Sequence, residues 1–177
     1  MKKPFVIFDR DGTLIEHVHY LSEPDGVVPK KNSFEGLLLL RNLGFNFGII
    51  TNQSIINRGI ATKEQVELVN SRVKELFEDR GLSFEFILLC PHTPEDECSC
   101  RKPAIGFGTL AEASFGLDPK RSFMIGDQVS DVIFGKTLGY STIQVGDIMN
   151  STPLADYFAS DILEAAKWIR DLERSDD

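Results

Sequence analysis

The sequence lacks the long apolar runs that mark membrane and secreted proteins. No run approaches the ~18 residues that a membrane helix needs. The apolar stretch before Asp9, residues 5–8, is too short for a signal peptide. With 42% hydrophobic and 26% charged residues among 177, the chain can still bury a substantial core. We therefore expect one domain, residues 1–177, located in the cytoplasm.

Positive charge is also scarce. The 19 lysines and arginines are outnumbered by 27 aspartates and glutamates, which gives a net charge of -8. Because nucleic acids and anionic membranes favour a basic surface, neither is an expected partner. An anionic small molecule can still bind where cations gather locally, and Arg58, Arg101 and Lys102 are candidates for that role.

Cysteine is rare, and the cysteines lie close together. Cys90, Cys98 and Cys100 cannot all pair within one chain, and His92 stands among them. This CxHx₅CxC pattern offers the soft ligands of a closed tetrahedral zinc site, in which zinc is structural. The alternative is a chance grouping of a buried cysteine, an exposed histidine and two further cysteines. The clustering of all the cysteines in residues 90–100 favours zinc.

Short apolar runs alternate with segments of helical spacing. The runs predict buried strands at residues 5–8, 45–50, 84–89, 123–125 and 142–145. Helices are expected at residues 34–43, 63–80, 105–115, 130–138 and 161–173. The second helix has a capping box at Thr62 and Gln65 and a terminating Gly81. The alternation predicts an α/β fold, a Rossmann-like doubly wound and mostly parallel sheet, which binds ligands at the carboxyl ends of its strands.

Acidic side chains follow two of these strands. Asp9 and Asp11 come after the first strand, and Asp127 and Asp131 come after the fourth. Carboxylates that converge from separate strands repel one another unless a hard cation lies between them, and Mg²⁺ prefers such oxygen ligands. The first pair could instead lie in a solvated turn or in a fragment of a calcium loop. An EF-hand, however, needs Glu at position 12 of the loop, where Tyr20 stands.

Polar groups are expected at two further strand ends. Thr51 and Asn52 offer a hydroxyl and an amide for phosphate oxygens, and Arg101 and Lys102 bring fixed positive charge. As isolated features these would be an ordinary turn and a solvated surface. Their expected position at one edge of the sheet, beside the carboxylates, indicates a phosphate site instead.

The ordered motifs resemble the haloacid dehalogenase superfamily, specifically its small phosphatases without a large cap domain. The motifs are Asp9-Arg10-Asp11-Gly12-Thr13, Thr51-Asn52, Lys102, and Gly126-Asp127 with Asp131. The resemblance implies that Asp9 is the nucleophile and Asp11 the general acid and base. It implies that Thr51 and Lys102 bind the phosphoryl group. Mg²⁺ would be held by the Asp9 carboxylate, the Asp11 main-chain carbonyl and Asp127, with Asp131 in support.

The cysteine-rich segment resembles the zinc loop of two related phosphatase groups. One acts on D-glycero-D-manno-heptose 1,7-bisphosphate, and the other acts on histidinol phosphate. The sequence Asn57-Arg58-Gly59 is closer to the heptose group, whereas the short spacer between His92 and Cys98 is common in the histidinol group. In both groups the position that follows the equivalent of Asp127 is usually Lys or Arg, whereas this sequence has Gln128 there.

The resemblance implies a monomeric enzyme that takes the 7-phosphate from the heptose bisphosphate, a lipopolysaccharide precursor. Asn52, Arg58 and Arg101 would contact the substrate, the two arginines because a guanidinium group can form paired hydrogen bonds with a phosphate. The alternative for Arg58 is an ordinary surface residue without a role in binding. The alternatives are a histidinol-phosphate phosphatase and a metal-stabilised binding domain without catalysis.

Overall fold

A computed structural model describes residues 2–175 of the chain. Six strands are present: β1 Phe5–Phe8, β2 Asn46–Asn52, β3 Phe86–Cys90, β4 Phe123–Gly126, β5 Ser141–Val145 and β6 Tyr157–Ala159. They form one sheet in the order β3-β2-β1-β4-β5-β6, and every neighbouring pair is parallel. The predicted doubly wound α/β fold is confirmed.

Helices cover both faces of this sheet. They are α1 Ser33–Asn42, α2 Lys63–Glu78, α3 Gly106–Phe115, α4 Val129–Leu138 and α5 Ile162–Ser175. Alternate strand residues point to opposite faces, so Val6 and Phe8 join the core under α1, α2 and α5. Phe5 and Ile7 join the second core under α3 and α4. Strand β1 is therefore apolar on both sides, as a central strand of a buried parallel sheet requires.

Helix α2 begins and ends as its sequence predicts. Thr62 Oγ1 accepts a hydrogen bond from the Gln65 main-chain nitrogen at 3.2 Å, and Gln65 Oε1 accepts one from the Thr62 nitrogen at 2.8 Å. Beyond the helix, Gly81 has a φ of +72°, which glycine adopts without steric cost. The buried face of α2 is apolar except for one residue, Asn70.

Two differences from the predicted elements stand out. Strand β2 includes Thr51 and Asn52, because both continue the ladder with Leu89 and Cys90 of β3. Strand β6 was not predicted. Its three residues are too few to form a recognisable apolar pattern, and the strand exists because it pairs with the edge of β5.

The order of the strands places a crevice at the carboxyl ends of β1 and β4. The chain runs outward from β1 through β2 to β3 and then returns to β4 on the other side of β1. Ligands bind at such a switch point in open α/β sheets. Asp9 is the first residue after β1, and Asp127 is the first residue after β4.

No cap domain interrupts the described part of the chain. The longest connection between the helices and strands, residues 9–32, contains one short 3-10 helix, Pro24–Gly26. Within residues 2–175, no helix combines the length and apolar character needed to cross a membrane. The assignment of residues 1–177 to a single domain stays a prediction.

Candidate active site

Three carboxylates meet at the switch point. The Asp9 main-chain nitrogen donates to the Ile125 carbonyl at 3.0 Å, which holds Asp9 beside β4. Asp127 follows β4, and Asp131 lies in the first turn of α4. One carboxylate oxygen from each of Asp9, Asp127 and Asp131 lies within 4.8 Å of the others. The sheet thus brings together acidic residues from both halves of the chain.

The Lys102 side chain is buried among these acids. Its Nζ atom lies 2.7 Å from Asp9 Oδ1 and 2.7 Å from Asp131 Oδ1. Burial works to lower the pKa of Lys102, but the charges of Asp131 and Asp9 outweigh burial and raise it. The ammonium form is therefore maintained at neutral pH. Lys102 forms ion pairs with two of the three carboxylates, so the group retains an excess of negative charge.

Burial makes this excess of negative charge costly. Desolvation raises the pKa of Asp9 to about 7; Lys102 opposes the shift, and the Asp131 charge reinforces it. Desolvation also raises the pKa of Asp127, against a hydrogen bond from Gln128. Such carboxylates gain stability from either a proton or a cation.

The ligand atoms fit a hard cation. Asp127 Oδ1 is buried and has no hydrogen-bond partner among the described residues, whereas Asp127 Oδ2 accepts from Gln128 Nε2 at 2.6 Å. A Cβ atom at Gly12 would lie 2.6 Å from Asp127 Oδ2, so only glycine allows this approach of the first motif to Asp127. An orphaned carboxylate oxygen among other oxygen ligands suits Mg²⁺.

The Asp11 carboxylate is held apart from this group. Its Oδ2 atom accepts from Arg10 Nε at 3.0 Å and from Gln53 Nε2 at 2.6 Å. Its Oδ1 atom accepts from Arg10 Nη2 at 3.2 Å. Gln53 Nε2 also donates to Thr51 Oγ1 at 2.9 Å. One amide therefore connects Asp11, the candidate general acid/base, to the hydroxyl of Thr51, a candidate phosphate-binding group.

The Asn52 side chain holds the main chain of Lys102. Asn52 Oδ1 accepts from the Lys102 nitrogen at 3.0 Å, and Asn52 Nδ2 donates to the Lys102 carbonyl at 3.0 Å. The Asn52 amide therefore pairs with the main chain of Lys102 through one donor and one acceptor, much as a neighbouring strand would. The two bonds position Lys102, while the predicted contact of Asn52 with substrate stays a prediction.

A polar cavity of about 400 Å³ lies over the centre. Its lining includes Asp9, Asp11, Asn52, Arg101, Lys102, Asp127 and Asp131. Arg101 Nη1 also donates to the His92 carbonyl at 3.1 Å. Arg58 is exposed, lies outside this lining and has its Nε atom 3.4 Å from Ser54 Oγ. The structure therefore brings Arg101, but not Arg58, to the cavity.

The cysteine and histidine side chains converge at the end of β3. Cys100 Sγ lies 3.2 Å from Cys90 Sγ and 3.2 Å from His92 Nδ1. Cys98 Sγ lies 3.4 Å from Cys100 Sγ and 3.7 Å from Cys90 Sγ. The cysteines are free. A tetrahedral zinc with Zn–S bonds of about 2.3 Å needs sulfur atoms about 3.8 Å apart, which is close to these spacings.

Several supporting side chains were not singled out from the sequence. Arg10 is 0% exposed. Asn70 accepts from Arg10 Nη1 at 2.7 Å. Gln144 is buried and donates from Nε2 to the Asp127 carbonyl at 3.1 Å. The available signal was polarity beside apolar residues, since Asn70 lies on the buried face of α2 and Gln144 lies between Ile143 and Val145 in β5.

The chain is similar in sequence to known proteins. A family model described as HAD-hydrolase-like matches residues 99–165. The chain is 36% identical over 131 residues to the D-glycero-beta-D-manno-heptose-1,7-bisphosphate 7-phosphatase of Helicobacter pylori, covering 73% of this chain and 76% of that protein. It is 31% identical over 151 residues to the histidine biosynthesis bifunctional protein HisB of Blochmanniella floridana, covering 84% of this chain and 42% of that protein. The chain spans about two fifths of the length of the HisB relatives it matches.

A solved structure has the same fold. The D,D-heptose 1,7-bisphosphate phosphatase from B. bronchiseptica, complexed with magnesium and phosphate, superposes with a TM-score of 0.86 at 21% sequence identity. The match covers 96% of this chain and 99% of that one. At this level of identity, the likeness shows a shared fold.

Proposed function

The chain belongs to the haloacid dehalogenase-like phosphatases, and on that premise we propose that it hydrolyses a small sugar phosphate, with the 7-phosphate of D-glycero-D-manno-heptose 1,7-bisphosphate as the first candidate. The observation that carries the proposal is the meeting of Asp9, Lys102 and Asp127 beside a polar cavity at the switch point. A phosphate monoester is anionic, and its hydrolysis needs a nucleophile, a cation and an acid close together.

In the first half of the reaction, Asp9 acts as the nucleophile. A carboxylate oxygen of Asp9 attacks phosphorus and forms an aspartyl-phosphate. The bond from phosphorus to the ester oxygen breaks, and its electron pair stays on that oxygen. Asp11 gives its proton to the oxygen, and the sugar alcohol leaves. The Lys102 ammonium, 2.7 Å from Asp9, favours the ionised nucleophile and offsets charge on the phosphoryl group.

In the second half, water hydrolyses the aspartyl-phosphate. Asp11, now ionised, takes a proton from the water molecule as the water oxygen attacks phosphorus. The bond between phosphorus and Asp9 breaks, which releases inorganic phosphate and restores the Asp9 carboxylate. The proton held by Asp11 serves the next turnover.

We propose that Asp9, Asp127 and the main-chain carbonyl of Asp11 hold Mg²⁺. Bound there, Mg²⁺ would neutralise charge on Asp9 and on the phosphoryl oxygens. The unpartnered Asp127 Oδ1 atom and the raised pKa of Asp9 support this assignment. Asp131 supports the site indirectly, because it holds Lys102 at 2.7 Å.

We propose that zinc occupies the site formed by Cys90, His92, Cys98 and Cys100. The spacing of the sulfur and nitrogen atoms supports zinc, and Lys102 follows the last of these residues by two positions. Zinc in a closed site of this kind does not react with substrate. It would hold the loop in the conformation that delivers Lys102 and Arg101 to the cavity.

The substrate is proposed from similarity and from Arg101. The Helicobacter pylori relative is named for the heptose bisphosphate, and the chain covers most of that protein. Arg101 lines the cavity and can contact the phosphate that does not react. The HisB relatives are named for histidine biosynthesis, which is consistent with the second candidate from the sequence, histidinol phosphate, a monoester without a second phosphate.

The test is phosphate release from both compounds, with Asp9→Asn as the inactive reference. We expect the heptose bisphosphate to give a kcat/KM at least about tenfold higher than histidinol phosphate, which corresponds to one additional charged contact. A preference for histidinol phosphate would overturn the substrate but not the chemistry. Retention of activity by Asp9→Asn would overturn the nucleophile.

A further inference from the structure

The Asp11 carboxylate is connected to helix α2 by two buried side chains. Arg10 donates to both Asp11 oxygens, from Nε at 3.0 Å and from Nη2 at 3.2 Å. The remaining guanidinium nitrogen, Nη1, donates to Asn70 Oδ1 at 2.7 Å. We propose that Asn70 and Arg10 are positioning residues for Asp11, which fix the carboxylate for proton transfer to the leaving alcohol. The inference rests on the proposed function and concerns the proton-transfer step within it.

The burial of this pair needs a physical reason. Arg10 is 0% exposed, and Asn70 is 8% exposed on a face of α2 that otherwise packs as core. An aliphatic side chain at position 70 would pack beside Val69 and Val73 and would avoid the cost of removing an amide from water. A buried guanidinium is tolerated only when its donors are satisfied, and Asn70 satisfies Nη1. The hydrogen bond to Arg10 therefore accounts for a polar residue at this buried position of α2.

Arg10 in turn restricts Asp11. Its planar guanidinium presents donors in a fixed fork, and anchoring Nη1 to α2 stops the fork from rotating about its own stem. Asp11 also accepts from Gln53 Nε2 at 2.6 Å. The carboxylate is thus oriented by donors from the segments that follow β1 and β2, and the Arg10 donors are anchored to α2. Proton transfer is sensitive to such orientation, because the acid must lie within hydrogen-bond reach of the ester oxygen.

Two substrates with different leaving groups distinguish a role of Asn70 in positioning Asp11 from a general role in stability. A sugar alcohol leaves as a strongly basic alkoxide and needs a proton from Asp11, whereas nitrophenolate leaves without one. The ratio kcat/KM reports the reaction up to the loss of the alcohol. Loss of the Asn70 acceptor should therefore harm the sugar phosphate far more than p-nitrophenyl phosphate.

The experiment compares Asn70→Leu with the wild-type chain on the heptose bisphosphate and on p-nitrophenyl phosphate. We expect kcat/KM to fall at least about tenfold for the sugar phosphate and less than about threefold for the nitrophenyl ester. Asn70→Asp keeps an acceptor for Arg10 Nη1 and should restore the wild-type ratio of the two values. Val73→Ala loosens the same helix without touching the acceptor, so it should lower the Tm and leave the ratio unchanged.

The outcomes are distinct. Equal losses on both substrates, or no loss on either, would overturn the positioning role. If Asn70→Leu does not fold, Asn70→Ser replaces it, because the shorter hydroxyl cannot reach Nη1, and the same ratio decides. A wild-type chain that hydrolyses neither ester would overturn the proposed function and the inference with it. Hydrolysis of both by the wild-type chain with an unchanged ratio in the variants would overturn the inference alone.

Discussion

The two groups of candidate metal ligands are assembled in opposite ways. The cysteine and histidine ligands come from residues 90–100, whereas Asp9, Asp127 and Asp131 come from opposite halves of the sheet. The acidic group is joined by the Lys102 ammonium. The sulfur group has only weak thiol contacts of 3.2–3.7 Å. We therefore expect the acidic group to persist without the proposed Mg²⁺, and the sulfur group to depend on the proposed zinc for its structure.

The largest expected effect is on the acidic centre, where chemistry can be lost without loss of fold. Asp9→Asn removes the proposed nucleophile, and we expect turnover to fall by at least about 10³-fold, because an amide does not form the aspartyl-phosphate. Phosphate release measures this loss, and elemental analysis should find the zinc content unchanged. A parallel loss of zinc would mean that the two centres are not independent.

The second effect is on the sulfur centre, where structure should be lost first. Cys100→Ser removes one ligand of the proposed zinc site, and we expect loss of zinc with a fall in activity of about 100-fold, since Lys102 lies two residues on. Ser99→Ala changes an exposed neighbour in the same loop and is the matched control. Unchanged activity in a zinc-free Cys100→Ser protein would show that the loop holds Lys102 without the metal.

The third effect concerns the charge of the acidic centre in protein prepared without magnesium. The pKa of Asp9 is raised to about 7, above its unfolded value of 3.8, so the folded state binds the extra proton between these values. That contribution to stability is full below the unfolded pKa and is lost as the pH rises through 7. Relative to Asp9→Asn, the wild-type chain should lose about 2–3 kcal/mol of unfolding free energy between pH 5 and pH 8.

Urea denaturation of both proteins at the two pH values measures this difference. Comparison with Asp9→Asn cancels the effect of pH on the thiolates, because both proteins contain the same sulfur cluster. A constant difference between the proteins from pH 5 to pH 8 would mean that Asp9 is ionised throughout and that Lys102 alone compensates its charge.

The smallest effect lies at the connection between the two centres. Asn52→Ala removes both hydrogen bonds to the Lys102 main chain, and we expect kcat to fall about tenfold while zinc binding persists. Asn57→Ala is the matched control, because that exposed amide contacts Asp96 of the zinc loop at 3.0 Å but does not contact Lys102. Equal losses in the two variants would remove the positioning role from Asn52.

The same comparison explains what could be predicted from sequence. The convergence of Cys90, His92, Cys98 and Cys100 could be predicted from spacing alone, because the loop that carries them is short, whereas their binding of zinc stays a prediction. The acidic residues were found because each follows a recognisable apolar strand, and apolar strands of an α/β sheet end at one edge. Their roles came from a resemblance, and the strand order came from the structure.

The supporting contacts could not be predicted. The Asn52 and Lys102 pair spans 50 residues, and the Arg10 and Asn70 pair spans 60. No local periodicity encodes which side chains meet across such distances, because that depends on how helices dock on the sheet. Arg58 follows a motif in the sequence, yet its side chain is not among those that line the cavity, and its contact with substrate stays a prediction.

The position of β1 in the middle of the sheet has a consequence for the newly synthesised chain. Strand β1 leaves the ribosome before β2 and β3, whereas its other neighbour, β4, follows only after residue 122. A nascent chain that has reached residue 122 contains Asp9, Lys102 and every ligand of the sulfur cluster, but neither Asp127 nor Asp131. During translation, the sulfur cluster of the proposed zinc site can therefore assemble first, and the proposed catalytic centre can be completed only when the second half of the sheet has been synthesised.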